Sequence, residues 1–239
     1  MHLITMKRYL VSITIICLWT YSFIANAEKW QDALAGMPLT TNLTELNRFN
    51  AVKTMVESFQ SNSTVKALIF MPGATDEFYM FRRAKASLTN TSPTLLDAVA
   101  ALTNQTFIRA TFKNHFLLLH TAQDPLKPIV HVKDRATAKA IEKRPCENHF
   151  EFYDKDWDYL LPHLGKSVKV ALSPGLYSPE TFHFYRHSFS AWNLNGLEGL
   201  RAVALAGKTQ YEIITNAVIF KADDRVLAPV PDLQSIQLR

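Results

Sequence analysis

Three carboxylates alternate with other side chains in residues 154–158, Asp-Lys-Asp-Trp-Asp. Alternating carboxylates on a loop can hold a divalent cation such as calcium. Tyr159 and Gly165 stand where an EF-hand calcium loop needs glycine and glutamate, so the loop does not fit that pattern. An Asp-x-Asp after a strand also begins phosphatases of the haloacid dehalogenase type, but the sequence offers no later partners for it. We therefore favour an interpretation in which these acids cap and stabilise the start of the following helix.

Basic side chains recur at matched places in the two halves of the chain. Arg82 and Arg83 lie in the first half, and Arg186 and His187 lie in the second. Arginine offers a rigid planar fork to a carboxylate or phosphate, so these four residues are candidates for contact with an anion or a partner. The alternative is a solvated sheet face, or a structural pair with Glu77 or Asp97.

Two further motifs suggest a metal site or an enzyme without completing one. His183 and His187 have a spacing that suits a metal on a helix, but on a strand they lie ~13 Å apart at ~3.3 Å per residue. The stretch 117–125, with His120 and Asp124, is similar to the strand-then-acid stretch of an α/β-hydrolase. Such an enzyme needs a Gly-x-Ser-x-Gly elbow, which the chain lacks. We predict no catalytic, metal-binding or cofactor-binding residue.

The basic and aromatic residues belong to an internal repeat. Residues 77–88 match residues 181–192, since Phe78 aligns with Phe182 and Arg82 with Arg186. Three further pairs of features follow in the same order: Pro-Gly turns at 71–73 and 173–175, apolar helical stretches at 96–100 and 200–204, and short apolar runs at 116–120 and 217–221. The matching order predicts two copies of one unit.

The apolar spacing gives each copy the order α-β-β-α-β-β. Helices are predicted from the stripe that begins at Phe49 and from the stripe that begins at Trp157, and Ser92-Pro93 is predicted to open the second helix of the first copy. We expect an α/β (α+β) protein of two tandem small units with mixed sheets. The predicted organisation is a signal peptide at 1–27, a first unit at 28–123, a connector at 124–147, a second unit at 148–222, and an extended tail at 223–239.

The second copy resembles the short N-terminal domain that secretins and TonB-dependent receptors share. The resemblance rests on the strand from Phe150, the run 168–176, the leucine-containing helix from Leu197 and the stretch after Thr209. Gln210 departs from that domain, which usually has glycine after the threonine. The resemblance implies a small periplasmic interaction module, present twice, with no catalytic residues to transfer.

The N-terminus has the pattern of a cleavable secretory signal peptide. Lys7 and Arg8 precede an apolar run, which ends in Ala-Asn-Ala at residues 25–27. A charged start, an apolar middle and small residues at the end are the features that signal peptidase recognises. We therefore expect an exported protein, periplasmic or extracellular, with no stable membrane span after cleavage; retention of the segment as an anchor is the alternative.

Net charge and cysteine content limit the classes of partner and the sources of stability that the sequence predicts. Cleavage lowers the formal net charge from +5 to +3, which is too mild to indicate nucleic-acid binding. It also removes Cys17 and leaves Cys146 without a partner in the same chain, so we expect a reduced thiol and stability from an apolar core. The sequence thus predicts an exported, non-catalytic module that binds an envelope protein or an anionic envelope component, without cofactors. The alternative is a secreted hydrolase-like enzyme with an unrecognised active site.

Overall fold

The computed structural model describes residues 30–40, 45–60, 62–71, 85–88, 90–122, 124–175, 186–223 and 225. Among these residues, a short helical segment covers 30–35, and none of the helices is long and apolar enough to cross a membrane. The helices are α1 (Arg48–Ser58), α2 (Leu95–Gln105), α3 (Arg135–Glu142), α4 (Trp157–Val168) and α5 (Gly196–Ala206). The strands are β1 (Glu45–Asn47), β2 (Ala67–Phe70), β3 (Lys85–Ser87), β4 (Arg109–Lys113), β5 (Phe116–His120), β6 (Val130–Val132), β7 (His149–Lys155), β8 (Ala171–Pro174), β9 (His187–Trp192), β10 (Thr209–Ile214) and β11 (Ala217–Ala222).

The strands form two mixed sheets and one small strand pair. The five-stranded sheet has the order β4-β5-β2-β9-β7, and the four-stranded sheet has the order β6-β10-β11-β8. Parallel pairs (β2 with β5, β6 with β10, β8 with β11) occur beside antiparallel ones. The expected α/β class with mixed sheets is confirmed. β9 lies beside β2, so strands from both halves of the chain share the five-stranded sheet.

The five-stranded sheet is covered on both faces, which gives the molecule two apolar cores. Ile69 and Leu118 face one core, together with most of α4 and α5. Leu68 and Leu117 face the other, together with α1 and α2. Every residue of β2 and β5 is buried. Continuous apolar runs are what a strand between two covered faces requires.

The same local arrangement occurs in each half. In the first half β2 lies parallel to β5, which forms a hairpin with β4; in the second half β8 lies parallel to β11, which forms a hairpin with β10. The backbone N–H of Leu95 donates to Met37 at 2.8 Å, and that of Gly196 donates to Arg144 at the same distance. A short helical stretch before each of these carbonyls therefore meets the start of α2 or α5 in the same way.

The helix caps correct two details predicted from the sequence. Thr94 and Asp97 form a capping box at the start of α2, and Asn195 and Glu198 form one at the start of α5. Ser92-Pro93 therefore precedes the helix rather than opening it. The caps also show that the two helices correspond at a spacing of 101 residues, whereas the apolar runs at 96–100 and 200–204 suggested about one helical turn more.

Candidate interaction surface

Of the four predicted contact residues, the structure describes two. Arg82 and Arg83 lie outside the described residues. Arg186 retains 42% exposure of its side chain and lies 3.6 Å from a carboxylate oxygen of Asp156. Its guanidinium also donates to the backbone carbonyl oxygen of Asp154 at 3.3 Å. Arg186 therefore contacts the segment before α4 through Asp154 and Asp156, and its side chain stays partly exposed.

His187 does not lie at the surface, and the expectation of a partner contact is corrected for this residue. Its side chain is fully buried at the start of β9 and packs edge-on against Trp157, with ring centroids 4.5 Å apart. Nδ1 donates to the carbonyl oxygen of Lys155 at 3.2 Å, whereas Nε2 has no hydrogen-bond partner. Burial lowers the pKa of His187 to about 4, so the ring is neutral at physiological pH.

The acidic cluster caps a helix. The side chain of Asp156 accepts a hydrogen bond from the backbone N–H of Tyr159 at 3.0 Å, and Asp158 lies in the first turn of α4. Negative charge at these positions complements the helix dipole. The capping interpretation is confirmed. The described part of the chain contains no group of three or more potential metal ligands.

A buried ion pair lies where the sequence only suggested a turn. Lys208 Nζ and Asp124 Oδ1 are 2.6 Å apart, and the two side chains are 0% and 3% exposed. Asp124 also accepts a hydrogen bond from the backbone N–H of Thr121 at 2.6 Å. Burial lowers the pKa of Lys208 to about 7 and raises the pKa of Asp124, because both groups have lost water.

The ion pair belongs to a small polar network. His120, at the end of β5, donates from Nδ1 to the carbonyl oxygen of Thr121 at 2.5 Å, and its Nε2 lies 2.8 Å from the hydroxyl of Thr111. These residues include the stretch that is similar to an α/β-hydrolase. A lysine with a pKa near 7 has the chemistry of a general base. The ion pair joins Lys208, which immediately precedes β10, to Asp124, which lies after the end of β5.

An open groove lies in the first half, between α2 and β4. It has a volume of about 510 Å³. On the α2 side the groove is lined by Leu96, Ala100 and Asn104. On the β4 side it is lined by Arg109 and Ala110. Trp30 and Gln31 also line it. These walls mix apolar and polar groups, which is typical of a surface that binds a polypeptide.

The outer edge of β4 adjoins this groove. Lys113 and Phe116 close the β4–β5 hairpin across the turn at Asn114-His115. Hydrogen bonding alternates along an antiparallel pair, so the backbone groups of Ala110 and Phe112 point away from β5. Among the described residues, β4 pairs with β5 alone. No sequence pattern indicated that β4 lies at the edge of the sheet, because strand order is not encoded in a local pattern.

The corresponding edge of the second half is covered. Tyr211 on β10 donates from its backbone N–H to Ile129 at 3.1 Å, and the backbone N–H of Lys133 donates to Ile213 at 2.9 Å. Counted back from each hairpin turn, Tyr211 and Ile213 occupy the positions of Ala110 and Phe112. β6 therefore pairs with the backbone groups of Tyr211 and Ile213 on β10. The counterpart groups on β4, those of Ala110 and Phe112, pair with no strand among the described residues.

Comparison with known proteins adds no relative: no family model, no curated protein and no solved structure matches the chain. The resemblance to the short N-terminal domain of secretins and TonB-dependent receptors therefore stays a prediction.

Proposed function

We propose that this protein is an exported, non-catalytic module that binds another component of the cell envelope. The observation that carries the proposal is the open groove between α2 and β4, whose counterpart in the second half is covered by part of the same chain. A surface that the described residues cover in one half and leave open in the other is suited to a partner. The signal peptide predicted at 1–27 supplies the location.

We further propose that the two halves are tandem copies of one unit, with boundaries near 28–123 and 148–222. The proposal is supported by the matching strand pairs, by the capping boxes at Thr94 and Asn195, and by the 11-residue length of both α2 and α5. β6 and α3 fall in the predicted connector 124–147, and they pack on β10 and α5.

The alternative, a hydrolase-like enzyme, requires convergent polar groups that open into one pocket. The strongest candidate group is Lys208, whose pKa of about 7 suits a base. Its side chain is fully buried beside Asp124, so a substrate could reach it only after the loop 121–124 had opened. We therefore favour the binding function.

The test is capture of an envelope component by the mature protein, residues 28–239, with chemical crosslinking in an envelope extract. Ala100→Tyr places a bulky ring in the groove, and Lys53→Tyr places the same ring on the exposed side of α1 as a matched control. We expect a reproducible partner with the parent and with Lys53→Tyr, and a loss of that partner with Ala100→Tyr. Failure of the parent to retain any specific component would reject the binding function.

A further inference from the structure

The outer edge of β4, away from β5, presents the same backbone groups as the edge of β10 that pairs with β6. Among the described residues, no strand pairs with this outer edge of β4. We propose that β4 accepts an extended, acidic segment of a partner protein as an added parallel strand, in the way that β10 accepts β6. The inference rests on the proposed binding function and names the surface and the chemistry of the partner. Addition of a strand to an open sheet edge supplies backbone hydrogen bonds, while side chains at alternate positions supply specificity.

The charges along this edge define the partner's chemistry. Arg109 and Lys113 are exposed on β4, and Lys127 lies beside Lys113 in the adjoining narrow pocket. The ion pairs of the described residues include none of these three cations. On the covered edge, by contrast, Lys133 next to β6 pairs with Glu212 of β10. On β4 the cations belong to the receiving strand, so the incoming segment has to supply the carboxylates.

A second copy of this chain fits the edge less well than an acidic partner. β6, with Val130 and Val132 exposed, is the apolar edge strand that another copy would offer. Lys127 precedes β6 and has no ion pair among the described residues, so the approach of β6 to Arg109 and Lys113 would bring like charges together.

The test uses the mature chain and a fluorescein-labelled peptide of alternating valine and threonine with Asp-Glu at both ends. Its control is the same peptide with lysines in place of the acids. Ala110→Pro removes one outward N–H from β4, a position where an edge strand tolerates proline. Val130→Pro makes the same change at an outward position of β6 and serves as the matched variant. Fluorescence anisotropy measures binding, and amide exchange measures protection at Ala110 and Phe112.

We expect the acidic peptide to bind the parent and Val130→Pro with a Kd below about 1 mM, and to protect both amides on binding. We expect Ala110→Pro to weaken binding about five- to tenfold, and the lysine peptide to bind more weakly still. Equal binding by Ala110→Pro and the parent would overturn the proposal, as would absence of binding by the acidic peptide. Protection of Ala110 and Phe112 in the free protein would also overturn it, because another part of the chain or a second copy would then occupy the edge. If Ala110→Pro still captures the envelope partner that Ala100→Tyr loses, this inference fails while the proposed function stands.

Discussion

Replacing Lys208 by methionine tests the buried ion pair directly. Methionine keeps the length of the side chain but removes the ammonium group that lies 2.6 Å from Asp124. The carboxyl group of Asp124 then stays in the interior, where its side chain is 3% exposed, with the backbone N–H of Thr121 as a donor. Removing one member of a buried pair is costly because the other charge is left without compensation.

The loss of stability caused by Lys208→Met can be estimated from the free energy of protonating Asp124. A carboxyl group with an unfolded pKa of 3.8 lies 3.2 pH units below neutrality, so holding it protonated at pH 7 costs about 4.4 kcal/mol. This sets an upper bound on the penalty and agrees with the ~3–5 kcal/mol expected for breaking a buried pair. Burial raises the pKa of Asp124, so the folded variant binds this proton more tightly than the unfolded chain does. Lowering the pH therefore reduces the penalty, by up to about 1.4 kcal/mol per pH unit between pH 7 and 5.

The assay is urea unfolding of the parent and of Lys208→Met at pH 5, 6 and 7, in parallel with Asp124→Asn and the double variant. In the double variant, Lys208→Met with Asp124→Asn, neither of these two positions carries a charge, and asparagine can still accept from the backbone N–H of Thr121. We expect it to be at least about 1.5 kcal/mol more stable than Lys208→Met alone at pH 7. The reasoning is wrong if Lys208→Met costs less than about 1 kcal/mol at pH 7, or if its penalty grows as the pH falls.

Three other variants probe separate parts of the core. The parent should lose about 3 kcal/mol of stability between pH 6.5 and about 4, because the unfolded imidazole of His187 binds a proton in that range and the buried one does not. His187→Leu should abolish this loss. Equal pH slopes of the two proteins in chemical unfolding would contradict the reasoning. Gly196→Ala should lower the free energy of unfolding by about 1–3 kcal/mol, since the added Cβ would overlap the backbone carbonyl oxygen of Ile141. Gly165→Ala, whose Cβ would lie 3.7 Å from the nearest atom, should raise the free energy of unfolding by about 0.5–1 kcal/mol. Similar stability of the two variants in thermal or chemical unfolding would refute the close contact at Gly196. The thiol of Cys146, whose pKa burial raises to about 12, should react with iodoacetamide about a thousandfold more slowly in the native protein than in urea, and rapid native labelling would show that it is accessible.

The helices were predictable because their apolar stripes are local patterns. The stripe from Trp157 predicts α4, and the structure places Trp157, Leu160 and Leu164 in the core. The start of α2 was harder to predict, since both Ser92 and Thr94 are capping residues. Thr94 forms the cap because Asp97 lies three residues later and accepts a hydrogen bond from the backbone N–H of Thr94. The backbone N–H of Ser92 donates instead to the side chain of Asn90, which precedes it.

The sheet order was not predictable from these patterns. β9 is buried along nearly its whole length, with Phe189 in one core and Ser188 and Ser190 also inaccessible. A strand with two covered faces has no alternation to reveal which neighbour it joins. Its position beside β2 depends on contacts far apart in the sequence. Phe182, which the predicted repeat aligns with Phe78, lies outside the described residues, as does Phe78 itself.

The buried polar residues escaped prediction for a related reason. Lysine is almost never fully buried, so nothing in the local sequence indicates that Lys208 lies in the core. Lys208 has a φ of 49°, in the left-handed region, where it follows Gly207 at the end of α5. Its partner, Asp124, lies in a loop that the sequence places outside both predicted units. Neither local charge pattern shows that the two groups meet.

The contrast between the two halves links the fold to the proposed function. If one unit gave rise to both halves, its open sheet edge was inherited twice, and an exposed edge invites unwanted pairing with other chains. In the second half, β6 covers that edge, and Lys133 and Lys221 pair with Glu212 on the sheet beside it. In the first half the edge is left with Arg109 and Lys113, cations that discourage pairing with basic or apolar strands while admitting an acidic one. Under the proposed binding function, charge at this edge serves both purposes: it limits nonspecific association, and it selects an acidic partner.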